Sequence, residues 1–319
     1  MGEQAPARPG RYSPGLPRLV PGTYAAVVLK LPPFVYLAPA SLEEALSLHA
    51  DHEDESRVLA GGQSLIPLLA LRLARPEYLV DLRRIGELEG ISEEDGAVCI
   101  GAMTSELALE HSHLIAERLP LLPQALSFIG HPAIRSRGTL GGSLAHGDPA
   151  AELPAVALVL GAQLVAESRD RGRRTIAARD FFLGPFTTAL QGDEILTEIR
   201  IPWQAPGTGS CFHEVARRLG DFAMVGVAAV ARVEQGMIRS CRVALTGVAD
   251  RAVLRTDGEL GLTGESAGSF DAAARRLAEE LNPPADLHGS APYRRHLVRT
   301  LVPRVLERAC QAAAAGAIS

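Results

Sequence analysis

The run Arg135-Ser136-Arg137-Gly138-Thr139-Leu140-Gly141-Gly142-Ser143-Leu144-Ala145-His146-Gly147-Asp148-Pro149 is the most distinctive in the chain. Glycines, hydroxyls, a histidine and an aspartate crowd together where a plain connection would carry fewer of them. Thr139 and Ser143 flank Gly141-Gly142, so main-chain amides and hydroxyls can share one concave surface that suits an anion. Asp148 offers an acceptor for a ribityl or ribose hydroxyl. It can equally cap a helix beginning near Ala150, and the two roles are compatible. A shorter glycine turn lies upstream, Ala60-Gly61-Gly62-Gln63-Ser64, followed by Leu65. It sits between a strand read at 57–60 and a helix read at 65–73. Paired glycines allow positive φ and close approach of a ligand to the backbone. The amides that follow can point at a phosphate, and Ser64 adds a hydroxyl.

Alone, each turn is weak, because Gly-Gly before a helix is commonly only a turn. Neither is GxGxxG, and no GK[ST] follows, so the usual dinucleotide fingerprint and the P-loop are both excluded. Two anion cradles in one domain suggest a ligand with two phosphates; FAD and NAD both qualify. The missing GxGxxG argues against the standard NAD fold.

Composition narrows the class. The 319 residues are 47% hydrophobic and 22% charged, enough for two or three packed units with a sizeable core. A net charge of −5 and only 4% aromatics disfavour nucleic acid, which needs concentrated Lys and Arg or stacking platforms. The four cysteines, Cys99, Cys211, Cys241 and Cys310, are far apart and form no CxxC pair. Their spacing suits neither an iron–sulfur cluster nor structural zinc. No metal site is expected on this chain. No apolar run reaches the roughly 18 residues of a membrane span, and the arginine-bearing N-terminus lacks a signal-like apolar stretch. A cytoplasmic location is the expectation.

Along the chain, residues 1–30 are rich in Pro, Gly and Arg and read as a flexible extension. Residues 31–205 read as the first domain, of two α+β subdomains. Ser41 with Glu44 predicts a capping box, and Thr104 predicts a further cap. A Pro/Gly-rich connection near 202–209 leads to residues 206–319. There Phe212–Arg217, Ala223–Val233 and Ile238–Val248 predict antiparallel strands, and two helices close the chain, the second carrying Pro303. The fold class is α+β.

With these motifs assembled, Leu59 to Pro67 and Gly138 to Ser143, followed by Asp148-Pro149, resemble the FAD-binding medium subunits of molybdenum hydroxylases. That family includes carbon monoxide dehydrogenase, xanthine dehydrogenase and bacterial N-heterocycle oxidoreductases. Weaker marks keep the family's order: Tyr78 to Leu82, Ile100 to Thr104, Asp193 to Leu196, and Arg218 to Ala223. The resemblance implies a PCMH-type FAD-binding domain of two subdomains, then a small antiparallel α+β domain. It implies FAD gripped at its diphosphate by residues 60–64 and 139–143, with Asp148 on the ribityl or adenosine side; His146, from its place in the second loop, is a further candidate for contact with FAD. Ile195 or Leu196 would lie against the flavin ring region, and Asp221-Phe222 would approach it from the other side. Phe222 stands where carbon monoxide dehydrogenases carry Tyr, which keeps a stacking face but drops the phenol. Xanthine dehydrogenases carry a Lys near Met224, which this chain lacks; Ser143 stands where many relatives have Asn, and Gln63 where carbon monoxide dehydrogenases have His.

The resemblance further implies partners. A large subunit would hold the molybdenum–pterin cofactor and the hydroxylation site. A small subunit would hold two 2Fe–2S clusters that feed electrons to FAD, and the whole would form a dimer of heterotrimers. No catalytic acid, base or nucleophile is then required here. A carbon monoxide dehydrogenase-like role is favoured, with N-heterocycle, xanthine or aldehyde hydroxylases and a stand-alone FAD oxidoreductase as alternatives. Expressed without partners, the chain is expected to be poorly soluble or partly unfolded, because its partner-facing apolar patches stay exposed. Sedimentation and flavin absorbance of the lone chain check this, and a stable FAD-loaded monomer contradicts it.

Overall fold

The computed structural model describes residues 31–266 and 270–316. The predicted N-terminal extension lies outside the described residues. Three principal sheets follow one another along the chain, and a two-stranded hairpin forms a fourth.

The first sheet holds β1 (Val35–Leu37), β2 (Ser56–Leu59) and β3 (Tyr78–Asp81) in the order β1-β3-β2, all parallel. Parallel neighbours need crossovers. The helix Leu42–Asp51 makes one, and Leu65–Ala70 with its following loop makes the other. Ser41 caps the first helix by accepting from the Glu44 amide, and Glu44 reaches back to the amide of Ala40 rather than to that of Ser41. The predicted 65–73 helix stops at Ala70, because Arg72 turns left-handed at φ 63°.

The second sheet is antiparallel, in the order β4-β5-β10-β6-β7. Its hairpin β4 (Ile91–Glu94) and β5 (Ala97–Gly101) turns through Asp95 and Gly96, both at positive φ as a two-residue hairpin turn requires. β6 (Gln163–Ser168) and β7 (Gly172–Ala177) form a second hairpin, and β8 (Phe182–Gly184) with β9 (Thr187–Thr188) a small third one. β10 (Ile195–Pro202) returns through the centre and carries a bulge at Thr197. The cap expected at Thr104 belongs to Ser105, whose hydroxyl accepts from the Ala108 amide. Thr104 instead ties its side chain to both backbone groups of Gly90.

The third sheet is a meander of β11 (Thr208–Val215), β12 (Val225–Glu234), β13 (Met237–Thr246) and β14 (Val253–Thr256). Alternation along β12 divides two cores. Val225, Val227, Ala229 and Ala231 face the closing helices Asp271–Glu280 and Ala291–Gly316. Ala228 and Val230 face the core shared with the second sheet. Between the two sheets lies the helix Glu152–Leu160, buried at every position, as expected of a helix that is apolar all round. It ends at Gly161 in the left-handed region. The last helix runs without a break through Pro303.

Gly209 marks the tightest seam of this half. A Cβ there would run into the Ala309 carbonyl and the Ala313 amide of the last helix. Gly209→Ala is therefore expected to cost about 1–3 kcal/mol by overpacking. Gly86→Ala, where no atom lies within 4 Å, is expected to leave stability within about 0.5 kcal/mol. Urea denaturation of both variants checks the contrast, and equal midpoints would refute the seam.

Candidate functional site

β2 leaves its sheet at Leu59 and turns through Ala60–Ser64 into the helix Leu65–Ala70. Gly62 takes φ 75°, which a side chain would strain. Gly61 has a different reason to be glycine. A Cβ on it would strike the Arg137 carbonyl and lie 2.9 Å from the Gly138 Cα. The reverse contact is almost as close, with a Cβ on Gly142 lying 3.2 Å from that of Ala60. The two glycine segments, remote in sequence, thus meet backbone to backbone.

Their amides differ. Among the described residues, the N–H groups of Gly61, Gly62, Gln63, Ser64 and Leu65 have no intramolecular acceptor. Five consecutive donors beside the cleft are therefore left without a protein acceptor. The second segment is not the open turn expected from its glycines. It is the start of the helix Leu140–His146, capped by Thr139. Leu140 donates to the Thr104 carbonyl at 3.2 Å and Gly141 to that of Ala102 at 2.9 Å. Gly142 donates to Thr139 Oγ1 and Ser143 to the Thr139 carbonyl, each at 3.0 Å. This segment offers side chains rather than bare amides.

A cleft of about 880 Å³ runs beside both segments, at the upper end of ordinary ligand sites. Every residue singled out from the sequence lines it: Ala60 to Leu65, Thr139, Gly141, Gly142, Ser143, His146, Asp148, Ile195, Leu196, Asp221 and Phe222. Asp148 uses Oδ1 to accept from the Ala150 amide at 2.8 Å. It therefore closes a turn rather than capping a helix, for the next helix begins only at Glu152. His146 packs against Phe186 with ring centroids 5.1 Å apart. Burial holds its imidazole below the usual histidine range, against the opposing pull of Asp148, so it is neutral near pH 7. Ile195 and Leu196 come from the start of β10, just before the bulge at Thr197. Bulges of this kind break the strand's alternation beside sites.

The far wall comes from the C-terminal half. Gly220, at φ 86°, lies so close to the Gly130 turn that a Cβ would sit 2.9 Å from the Gly130 carbonyl. Asp221 and Phe222 follow at the cleft, with Phe222 60% exposed. Arg135 fixes the Gly130 turn: it donates to the Ile129 carbonyl at 2.9 Å and pairs with Glu110 through two hydrogen bonds.

Sequence reading missed two carboxyls in this cleft, Glu106 and Glu152, both buried. Burial and the neighbouring Glu152 push Glu106 up to about 8, with Arg135 opposing. Burial pushes Glu152 up to about 7. The signal for Glu152 was present: a lone acid opens an otherwise apolar helix. Glu106 gave none, since an acid in a first helical turn is ordinary.

The cleft coincides with a known family. A family profile described as "FAD binding domain in molybdopterin dehydrogenase" matches residues 32–204. A second, "CO dehydrogenase flavoprotein C-terminal domain", matches residues 210–309. The chain belongs to the FAD-binding medium subunits of molybdenum hydroxylases. It is 40% identical to the 6-hydroxypseudooxynicotine dehydrogenase complex subunit alpha of Paenarthrobacter nicotinovorans, over 88% of this chain and 96% of that one. It is 41% identical to the carbon monoxide dehydrogenase medium chain of Hydrogenophaga pseudoflava, over 87% and 97%. Its fold matches the solved carbon monoxide dehydrogenase of Hydrogenophaga pseudoflava that lacks the Mo-pyranopterin moiety, with TM-score 0.84, covering 90% of this chain and 99% of that one. The medium subunit is accordingly an oxidoreductase component with an FAD-binding domain.

Forcing a methyl into the glycine seam tests the cradle. Gly61→Ala in the medium subunit is expected to weaken flavin retention at least about tenfold, or about 1.4 kcal/mol. The ratio of flavin to protein absorbance after gel filtration reads this out. Wild-type retention in the variant would contradict it.

Proposed function

We propose that this chain holds FAD in the cleft and carries electrons from iron–sulfur clusters of a partner subunit to an external acceptor. The observation that carries the proposal is the row of five unengaged amides, Gly61 to Leu65, beside a cleft of about 880 Å³. Backbone donors held in one turn suit a diphosphate, because they bring partial positive charge without a flexible side chain. The second segment contributes differently. The hydroxyls of Thr139 and Ser143 and the free oxygen of Asp148 suit neutral sugar and ribityl hydroxyls. Ile195 and Leu196 supply an apolar wall, and Phe222 a stacking face.

When bound, FAD supplies the capacity to accept electrons singly and pass them on. The chain's own residues bind and orient. Gly61 and Gly62 let the backbone approach the ligand, and Arg135 holds the Gly130 turn on which the Phe222 loop rests. Neutral His146 adds a hydrogen-bonding group without charge. We take residues 31–205 as the flavin domain and 206–319 as the smaller domain that completes its wall.

The partners in this reading are a small subunit with two 2Fe–2S clusters and a large subunit with the molybdenum–pterin cofactor, assembled as a dimer of heterotrimers in the cytoplasm. Among the described residues no helix is long and apolar enough to cross a membrane. Similar identity to a carbon monoxide dehydrogenase chain and to a 6-hydroxypseudooxynicotine dehydrogenase chain fits a flavin subunit whose sequence does not set the hydroxylated compound. The assembled complex is expected to bleach its flavin when given substrate without air, while the isolated chain with added FAD does not. Anaerobic absorbance at the flavin band checks both arms. Substrate-driven bleaching by the isolated chain would overturn the assignment in favour of a stand-alone oxidoreductase.

A further inference from the structure

Glu106 sits in the cleft wall with 4% of its surface exposed, and its Oε2 is buried without a hydrogen-bond partner. Buried polar atoms almost always find partners; Oε2 is closed off in the wall against Gly138, and Oε1 is the carboxyl oxygen left open to a ligand in the cleft. Its position is fixed from both sides. The Glu106 amide donates to the Gly138 carbonyl at 2.9 Å. Its carboxyl covers the Gly138 Cα, and a Cβ there would lie 2.5 Å from Oε2. Gly138 is also the residue against which Gly61 packs. The carboxyl therefore borders the seam that carries the five free amides.

An ionised carboxylate at that seam would repel a diphosphate, and the surrounding charges do not neutralise it. Arg135 is the guanidinium that acts on Glu106, and it is held by both oxygens of Glu110 and by the Ile129 carbonyl. Glu152 faces the same cleft and adds negative charge. Glu152 acts in turn on Glu214, on β11. Arg137 lends the seam its backbone carbonyl. His146, neutral, lines the cleft with Asp148 beside it.

We propose that Glu106 binds the FAD diphosphate as a neutral carboxylic acid, donating its proton to a phosphate oxygen, so that FAD binding is coupled to proton uptake. The proposal rests on the FAD reading of the cleft and adds a ligand to it. A protonated acid is a donor where a carboxylate is only an acceptor, so a carboxyl carrying its proton on Oε1 can sit beside phosphate. The proton comes from solvent and stays on the carboxyl while FAD is bound.

The sign follows by linkage. Burial already raises Glu106 to about 8 in the free protein, and the bound diphosphate raises it further. Affinity is then full below that value and falls as pH rises through it, approaching about tenfold in Kd per pH unit. Between pH 7 and 9.5 this amounts to about 30-fold in Kd from Glu106 alone. Glu152, raised to about 7, adds its own slope, so the informative quantity is the difference between wild type and Glu106→Gln.

The experiment is FAD titration of the deflavinated full-length protein, wild type and E106Q, followed by flavin fluorescence from pH 7 to 9.5. Calorimetry at pH 8.5 in two buffers of different ionisation heat counts the protons taken up. The expected result is a Kd that climbs less steeply in E106Q, with about 0.8 fewer protons taken up per FAD. Parallel pH curves, or equal proton uptake in the two proteins, would overturn the proposal. Should E106Q fail to fold, wild type still decides: no proton uptake at pH 8.5 overturns it. Absence of FAD binding by wild type at every pH would defeat the FAD reading itself, which is a distinguishable result.

Discussion

The carbonyl of Arg137 rests against the α-carbon of Gly61, and no side chain larger than hydrogen fits between them. That contact joins the small parallel sheet to the antiparallel one. One partner follows β2, the other precedes the helix Leu140–His146, and where they touch the cleft floor is formed. Interiors are close-packed and transmit strain, so a methyl at this point cannot be absorbed locally. It must move one subdomain against the other. The glycines are thus as much a structural requirement of domain packing as a means of admitting phosphate.

The two segments divide the work because of how their backbones are satisfied. In the upstream turn, five amides point away from any protein acceptor, a state that is tolerable beside water or an anion but costly if sealed in apolar surroundings. In the downstream segment, carbonyls from Ala102 and Thr104 take up the leading amides, and the Thr139 side chain and carbonyl take up the next two. That leaves a rigid helix start which presents side chains. Rigidity there is useful, since positioning improves when ligating groups stand on regular elements. The C-terminal half contributes through the Gly220–Gly130 contact, which sets the Phe222 loop at the opposite wall. The apolar helix Glu152–Leu160 holds that half against the flavin domain with all its residues buried.

Much of this was legible in the sequence, for physical reasons. The paired glycines and the strands β12 and β13 are local signals, and each lies within a few residues of where it was read. The cleft-lining residues were legible because glycine, hydroxyl and acid clustered within two short runs, and the Phe222 segment because its order matched the family. What failed was long-range. Nothing near Leu140 reveals that its amide is bonded to a carbonyl on the far side of β5. β7 escaped notice because its outer residues, Gly172 to Thr175, are exposed and polar, without alternation. Thr104 and Ser105 are both acceptable caps, and only the contact with Gly90 decides between them. Glu106 looks like any acid in a first helical turn until Gly138 is seen beneath it.

Which backbone atoms hold the diphosphate decides whether these two segments form the flavin site. The most direct measurement is an experimental structure of the FAD-loaded protein at a resolution that defines phosphate oxygens. Those oxygens are expected about 3 Å from amide nitrogens between Gly61 and Leu65, with the Gly61–Gly138 seam closed. A diphosphate elsewhere in the cleft, with those five amides facing only solvent, would contradict that placement.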